Sequence, residues 1–569
     1  MHIHDVLIIG AGPCGLAVAA RLHEHTPSAT FTDDEHQRYH WIRKHGNKMN
    51  IRNWRKNVDQ NPTTHPHQNS SSKIDMLVLD ADGADWMTKW DRLFSLFGIQ
   101  HLRSPMFFHV DPSDRDALLA YAYSQGRQSE LQSLPGCAGK EMSKHRKKKR
   151  MNARGRISQS GPDVDERDRK DYFTPSSKVF RSHCEDIARV YGLGERSGEL
   201  VRKEKVEDIV YDNVNAFKDV EHDSVISDDG SDYEGKVFRI KSDSGVHYAH
   251  VVILAVGPGN SPSIPSVPGL PSPVAGTPHP GYSHALHLEH FPTPRLEAKI
   301  KTRAKTNVLI VGGGLTSVQL ADLAIKNGVD KVWLLMRGDV KVKYFDIGLD
   351  WVGKFRNVRQ AEFWSADSDQ ERLEMYLEAR NGGSITPRYR KILNTHIGSG
   401  RVSLHTYTTL SSVFWCSTTS TWSTKLTSSS PSPTLPPLDY IIFATGVQSD
   451  IKTLPMLQTL HQTHPVTCPG GFPCLTEDMM WSDDVPLFVS GRFAGLRLGP
   501  GAPNLVGARI GAERVAWGVE DVLQNIIGRH RKDDEEHRKG KGGDAMEKVE
   551  DWTAGRRNRF DSLGDGVIL

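Results

Sequence analysis

The chain lacks any apolar run approaching the ~20 residues that a membrane-spanning helix needs, and no membrane partner is expected. It is poor in cysteine. Six are scattered, at Cys14, Cys137, Cys184, Cys416, Cys468 and Cys474, with no C-x-x-C pair. That scatter suits a reducing compartment, and a cytoplasmic location is expected. There is no surplus of one charge either: 72 Lys+Arg against 69 Asp+Glu leaves +3. A balance of this kind gives no reason to expect nucleic acid as a main partner. His23 with His25, and His65 with His67, lack a coherent set of further ligands, so no metal centre is expected. Met1 to Ala20 is largely apolar but has no basic n-region, and it holds a glycine turn. It reads as the first strand and helix of a fold, not as a signal peptide. A length of 569 residues allows two to four domains.

What is there is a pair of glycine-rich turns, each behind a short apolar strand. The first is Asp5-Val-Leu-Ile-Ile-Gly10-Ala11-Gly12-Pro13-Cys-Gly15. The second is Asn307-Val-Leu-Ile-Val-Gly312-Gly-Gly314-Leu-Thr-Ser317. Strand, tight turn and helix start follow in the order of a dinucleotide-binding βαβ unit. The glycines let the backbone approach a pyrophosphate, and the helix N-terminus offers it free N–H groups and a positive dipole end. Two such motifs suggest two dinucleotides, most simply a flavin and a nicotinamide. The full Gly10/Gly12/Gly15 set is the better flavin candidate. In the second turn Ser317 replaces the third glycine, and its small size still permits close helix–strand packing.

After the first helix, Ala29-Thr-Phe-Thr32 reads as a second strand ending in Asp33-Asp34. Asp33 lies close to the expected ~20 residues beyond Gly15 for the acid on a ribose 2′-hydroxyl, with an acidic loop as the alternative. After the second turn, the strand Lys331–Met336 ends in Arg337, with Lys341 and Lys343 beyond. A cation at that strand end favours the 2′-phosphate of NADPH over NADH; the alternative is an ordinary basic rim.

Between these units the sequence is uneven. Asp75–Leu79 is a plausible strand inside a stretch, 46–175, read as an irregular and helical insertion that helps form a substrate pocket. Met106, Phe107 and Phe108 serve either a core or that pocket. Thr174-Pro175-Ser176 opens an amphipathic helix. The run Lys144-His-Arg-Lys-Lys-Lys-Arg150 offers a nuclear-localisation signal, though a solvated surface loop is the plainer reading. Cys416–Pro437 is Ser/Thr/Pro-rich and reads as a loop. Residues 526–569 read as a charged, disordered tail.

Together these pieces resemble a family, the two-dinucleotide flavoprotein monooxygenases, and within it the ornithine and lysine N-hydroxylating enzymes. The resemblance rests on the Gly10 turn, the Pro175 helix start, Ala255-Val-Gly257, the Gly312 turn with Ser317 and Arg337, and Phe443-Ala-Thr445-Gly446. It implies an α/β fold of two Rossmann-like dinucleotide-binding domains, the NADPH domain inserted into the FAD domain. The implied boundaries are 1–300 for the first FAD part, 303–437 for NADPH and 438–525 for the FAD return. It implies FAD on Gly10, Ala11, Gly12, Pro13, Gly15 and Asp33 or Asp34, and NADPH on Gly312, Gly314, Ser317 and Arg337. Gly446 falls in the turn back to the FAD domain, and His284 serves a linker or is a surface histidine. The implied chemistry is transfer of one oxygen from O₂, through a C4a-hydroperoxyflavin, to nitrogen of a small amine or amino acid. Catalytic side chains are not assigned, and a homo-oligomer is compatible with the pattern. Ser490-Gly491-Arg492 departs from the family by lacking an acid near the flavin. Two other readings stay open: a flavoprotein disulfide reductase, which needs a redox cysteine pair such as Cys468 and Cys474, and a non-enzymatic redox sensor.

Overall fold

The computed structural model describes residues 2–24, 74–135, 137, 172–194, 200–218, 235–257, 259, 262–272, 279–353, 356–428 and 434–538. The expected strand at Ala29–Thr32, Asp33, Asp34 and the basic run 144–150 lie outside them.

The first sheet grows around β1 (Ile3–Ile9), whose last four residues are fully apolar and buried. A strand buried on both faces reads as a continuous apolar run, the mark of a parallel sheet. β1 lies between β2 (Met76–Asp80) and β6 (Val246–Leu254), parallel to both, with Val6 opposite Met76 on one side and Val251 on the other. Outward from β2 lies β3 (Val201–Lys203). The hairpin β4 (Val206–Asn213) and β5 (Lys236–Ser242) joins the first half of β6.

The second sheet is parallel throughout, in the order β10-β9-β8-β13-β7. Its members are β7 (Tyr282–His284), β8 (Asn307–Val311), β9 (Lys331–Leu335), β10 (Val402–His405) and β13 (Tyr440–Phe443). The antiparallel pair β11 (Thr408–Cys416) and β12 (Thr421–Ser428) stands beside it. The chain then returns to the first sheet through β14 (Met480–Ser482) and β15 (Val485–Val489), the latter parallel to β6. One Rossmann-like unit is therefore inserted into another, as the α/β reading expects. The inserted sheet already begins at Tyr282, upstream of residue 303.

Three expectations need correction. Met76–Asp80 is not part of an insertion; it is the direct neighbour of β1, because Met76 to Leu79 can bury both faces of the strand. Cys416–Pro437 is not a loop alone. Most of Thr421–Ser428 is Thr, Ser or Trp, residues tolerated in pleated strands, and Trp415 pairs with the buried Trp422 across the hairpin. Finally, the helix Leu505–Arg538 runs past residue 526, where disorder was expected. Its Arg, Lys and Glu residues are good helix formers despite their charge. Residues 539–569 lie outside the described ones.

Candidate functional site

At the first turn each residue has a distinct steric task. Gly10 has φ +111°, its N–H donates to the Leu79 carbonyl at 2.8 Å, and a Cβ would sit 2.5 Å from the Ala255 carbonyl oxygen. Only glycine meets both demands. Gly15 brings the helix Pro13–Leu22 so close to the turn that a Cβ would lie 2.0 Å from the Gly10 carbonyl oxygen. Gly12 differs: it is the N-cap, and a Cβ there would meet nothing within 4 Å. Pro13 opens the helix at a position where its missing N–H costs nothing. No side chain caps the helix and no acid occupies its first turn. Its first N–H groups are left without a side-chain cap beside the open space at Gly12, which fits an anion.

The acid beside this turn is Asp80, at the end of β2. It accepts a hydrogen bond from the Ala11 N–H at 2.7 Å. Its position at the tip of the strand next to β1 is the one an acid on a ribose requires. Sequence spacing missed it because Asp80 follows Gly15 by 65 positions (80 − 15). The usable signal was an acid closing the apolar run Met76–Leu79. From the other side Gly491, at φ +76°, presses on the turn, where a Cβ would lie 2.9 Å from the Cys14 sulfur. Burial pushes the Cys14 thiol up to about 11, with Ser490 opposing.

The second turn repeats this plan. Gly312 has φ +148°, donates to the Leu335 carbonyl at 2.9 Å, and would place a Cβ 2.3 Å from the Ala444 carbonyl oxygen. Gly314 caps the helix Leu315–Lys326 and leaves room for a Cβ, 3.9 Å from Gly383. Ser317 is fully buried, and its hydroxyl donates to the Gly314 carbonyl at 2.7 Å, so the serine closes the turn that it occupies. Arg337 is exposed just past the end of β9 and makes no ion pair among the described residues. The two lysines are committed elsewhere. Lys341 binds the Asn381 carbonyl at 2.9 Å, and Lys343 the Arg380 carbonyl at 3.1 Å. Gly446, at φ +85°, accepts from the Ser263 N–H at 3.0 Å. His284 is buried, not a surface residue, and its Nδ1 accepts from the Leu286 N–H at 3.2 Å. Burial, then the nearby His287, pushes it down to about 4, against a contact with the Gly446 backbone.

A cavity of about 360 Å³ lies between the segment after the helix Thr88–Leu96 and two helices of the inserted unit, Leu315–Lys326 and Pro387–Gly398. Its walls are mostly apolar, including Leu102, Leu134, Leu323 and Ile392. Asp322 in the wall is taken by Lys326 at 2.6 Å and His396 at 2.9 Å. Among the described residues Arg388 hydrogen-bonds to neutral partners, Gln132 at 2.9 Å and His101 at 3.3 Å. Arg103 staples the two sides together, donating to the carbonyls of Lys343 and Phe345, to Asp346 and to the Ser384 hydroxyl. Its solitary charge within His101–His109 was the only hint in sequence. Phe107 and Phe108 are buried in a core with Cys137 and Phe345, not in the cavity wall.

The fold defined by these two units is that of two-domain FAD/NADPH flavoproteins. The chain is similar to the reduced ornithine hydroxylase from Pseudomonas aeruginosa, with a TM-score of 0.56 and 15% identity over 92% of this chain and 100% of that one. It is also similar to the FAD-bound cadaverine monooxygenase of desferrioxamine biosynthesis from Erwinia amylovora, with a TM-score of 0.53 and 15% identity over 91% and 94%. A Kutzneria ornithine N-hydroxylase, solved with reduced FAD, NADP⁺ and L-ornithine, gives 0.55 and 12% identity over 91% and 99%. A family model for ketopantoate reductase PanE/ApbA matches residues 6–80, the stretch from β1 to the end of β2. No curated protein matches the sequence significantly. Among the described residues no helix is long and apolar enough to cross a membrane.

Proposed function

We propose that this chain is an FAD- and NADPH-dependent monooxygenase that hydroxylates nitrogen of a small amine or amino acid. One observation carries the reading. In two separate sheets, a positive-φ glycine is pressed on a carbonyl while the second glycine of the turn opens onto space at an uncapped helix N-terminus. Each turn fits one pyrophosphate. Gly10, Ala11, Gly12, Pro13 and Gly15 would hold FAD, with Asp80 in the ribose role first expected of Asp33 or Asp34. Gly312, Gly314, Ser317 and Arg337 would hold NADPH. Bound there, FAD and NADPH would supply hydride transfer and activation of O₂, while the protein would supply binding, orientation and exclusion of water. Gly446 stands in the return crossing.

The interdomain cavity is the proposed substrate chamber. Arg388, which has no carboxylate partner among the described residues, would take the carboxylate of an amino acid.

The reductase alternative draws no support from the thiols. All six cysteines are free, and burial, then Asp369, pushes Cys474 up to about 12, whereas a redox dithiol needs a readily formed thiolate. The test is to purify the chain, record its visible spectrum, and follow NADPH oxidation and O₂ uptake over a panel of amines and amino acids. Substrate-stimulated, coupled uptake is expected. Tight flavin binding with only slow peroxide release would favour the sensor, and no bindable flavin would end the proposal.

A further inference from the structure

At the opposite end of the first sheet, two imidazoles and a carboxylate converge. His2 Nε2 and His4 Nδ1 lie 2.7 Å and 2.8 Å from the same oxygen, Asp75 Oδ2. The three candidate ligand atoms all lie within 4.8 Å of one another. The two rings meet edge-on, with centroids 4.5 Å apart. We propose that His2, His4 and Asp75 form a binding site for one divalent transition-metal ion of the zinc, nickel or copper class.

The fold brings this set together. Residues two apart on an extended strand share a face, so His2 and His4 project together where β1 begins. Asp75 directly precedes β2, and the parallel pairing of Val6 with Met76 carries it alongside. Its backbone is fixed on both sides: its N–H donates to Asp5 Oδ2 at 2.9 Å, and its carbonyl accepts from the Val6 N–H at 3.1 Å. The carboxylate is therefore held in place without a metal, as a good ligand should be.

Two imidazoles and one carboxylate suit zinc, nickel or copper, whereas magnesium and calcium prefer oxygen alone. Metal–ligand distances of roughly 2.0–2.2 Å put neighbouring ligand atoms about 3.3 Å apart. The two imidazole–carboxylate distances need to open by only about half an ångström. The His2 side chain is 50% exposed and can move that far, leaving a remaining position for water. β1 spans seven residues at ~3.3 Å each, so the site lies on the order of 20 Å from the Gly10 turn. It would clamp β1 to β2 without touching a dinucleotide.

The experiment uses the full chain without a polyhistidine tag, stripped with chelator and titrated with Zn²⁺ by calorimetry, with the melting temperature followed in parallel. One ion per chain, low-micromolar affinity and a higher melting temperature are expected. His2→Ala and His4→Gln should each weaken binding at least tenfold and abolish the thermal shift, and Co²⁺ should give a visible spectrum that the variants lose. Unchanged Zn²⁺ affinity in His2→Ala would overturn the proposal, as would the absence of stoichiometric binding to the wild type. His2 is exposed enough that its replacement leaves the fold to be tested intact. None of these readouts depends on flavin or turnover.

Discussion

Two substitutions at the first turn, three residues apart, should separate folding from flavin binding. At Gly12 the backbone is extended, with φ −80°, and a methyl group meets no protein atom within 4 Å. Gly12→Ala should therefore change the stability of the flavin-free protein by no more than about 0.5 kcal/mol. The same methyl fills the space a pyrophosphate needs against the N–H groups of the helix Pro13–Leu22. Loss of even one charge-assisted hydrogen bond is worth roughly 1.5–3 kcal/mol, so FAD affinity should fall between about tenfold and a hundredfold.

Gly15 is crowded where Gly12 is open. The added Cβ would stand 2.0 Å from the Gly10 carbonyl oxygen, closer than real Cβ atoms approach. The helix must lift by about 1 Å. Its neighbours Leu16, Ala17, Val18 and Ala19 are fully buried, so the lift strains the packing of the whole face. Overpacking of this kind costs about 1–3 kcal/mol. Gly15→Ala should melt lower by a few degrees even without flavin, and should bind FAD poorly as well. Thermal melts of the flavin-stripped proteins, with flavin-to-protein absorbance ratios after reconstitution, measure both effects. A Gly12→Ala protein that reconstitutes with wild-type affinity would refute the assignment of this turn to the pyrophosphate. A Gly15→Ala protein with unchanged melting would refute the steric reasoning.

Arg337→Ala should raise the KM for NADPH by about 10- to 100-fold, the worth of a hydrogen-bonded charge, and leave that for NADH nearly unchanged; equal effects on both would remove Arg337 from the 2′-phosphate. His284 is neutral in the folded state down to about pH 4, whereas the unfolded chain protonates it below its ordinary 6.5. Its contribution is thus fully present above pH 6.5 and lost as pH falls toward 4, about 1–3 kcal/mol after discounting for partial solvation. Urea midpoints at pH 7 and pH 5 should differ less in His284→Asn than in the wild type, and identical differences would sink the argument. Arg21 Nε meets Glu513 Oε2 at 2.8 Å with both side chains 6% exposed. Arg21→Met should cost up to about 3–5 kcal/mol by removing one buried partner of the Glu513 carboxylate, which Arg509 also faces, and Arg21→Met with Glu513→Leu should recover part of it; a double variant no better than the single would show that the pair is not what matters.

The glycine turns were legible because their physics is local. A positive φ, a close approach and a helix start all fall within six residues, and sequence carries them directly. Asp80 was hidden because the rule for finding it counts residues, while the fold counts strands. Whatever the length between the first helix and β2, pairing of Val6 with Met76 decides which acid reaches the turn. The hairpin Thr408–Ser428 was hidden for a different reason. Its Ser and Thr residues look like low complexity, and its order comes from Trp422, whose indole N–H finds the Gly281 carbonyl at 2.8 Å, more than a hundred residues away. The choice of Arg337 over Lys341 and Lys343 also needed tertiary contacts, since only the structure commits the two lysines to the Arg380–Asn381 backbone.

The deeper coupling lies in how the chain passes between the two sheets. Leaving β6, its first residue, Ala255, is the one pressed on Gly10; leaving β13, Ala444 is the one pressed on Gly312. These outgoing and returning passages then bind each other. Ser263 donates to the Gly446 carbonyl, the Thr445 hydroxyl donates to the Ser263 carbonyl, and Pro262 bridges to Val447. Each glycine turn therefore rests on the root of a crossing, and the two crossings are one hydrogen-bonded ribbon. Any shift of the inserted unit would act on that ribbon, which continues into the carbonyls of Ala255 and Ala444 that shape both turns. Gly446 sits in the ribbon at φ +85° with open space around it, so a side chain there is opposed by backbone strain alone. That strain, on the order of 1 kcal/mol for a non-glycine residue, would act on the crossing without filling either dinucleotide cradle. Effects of Gly446→Ala on turnover, if cofactor affinities hold, would be effects on the geometry between the two units.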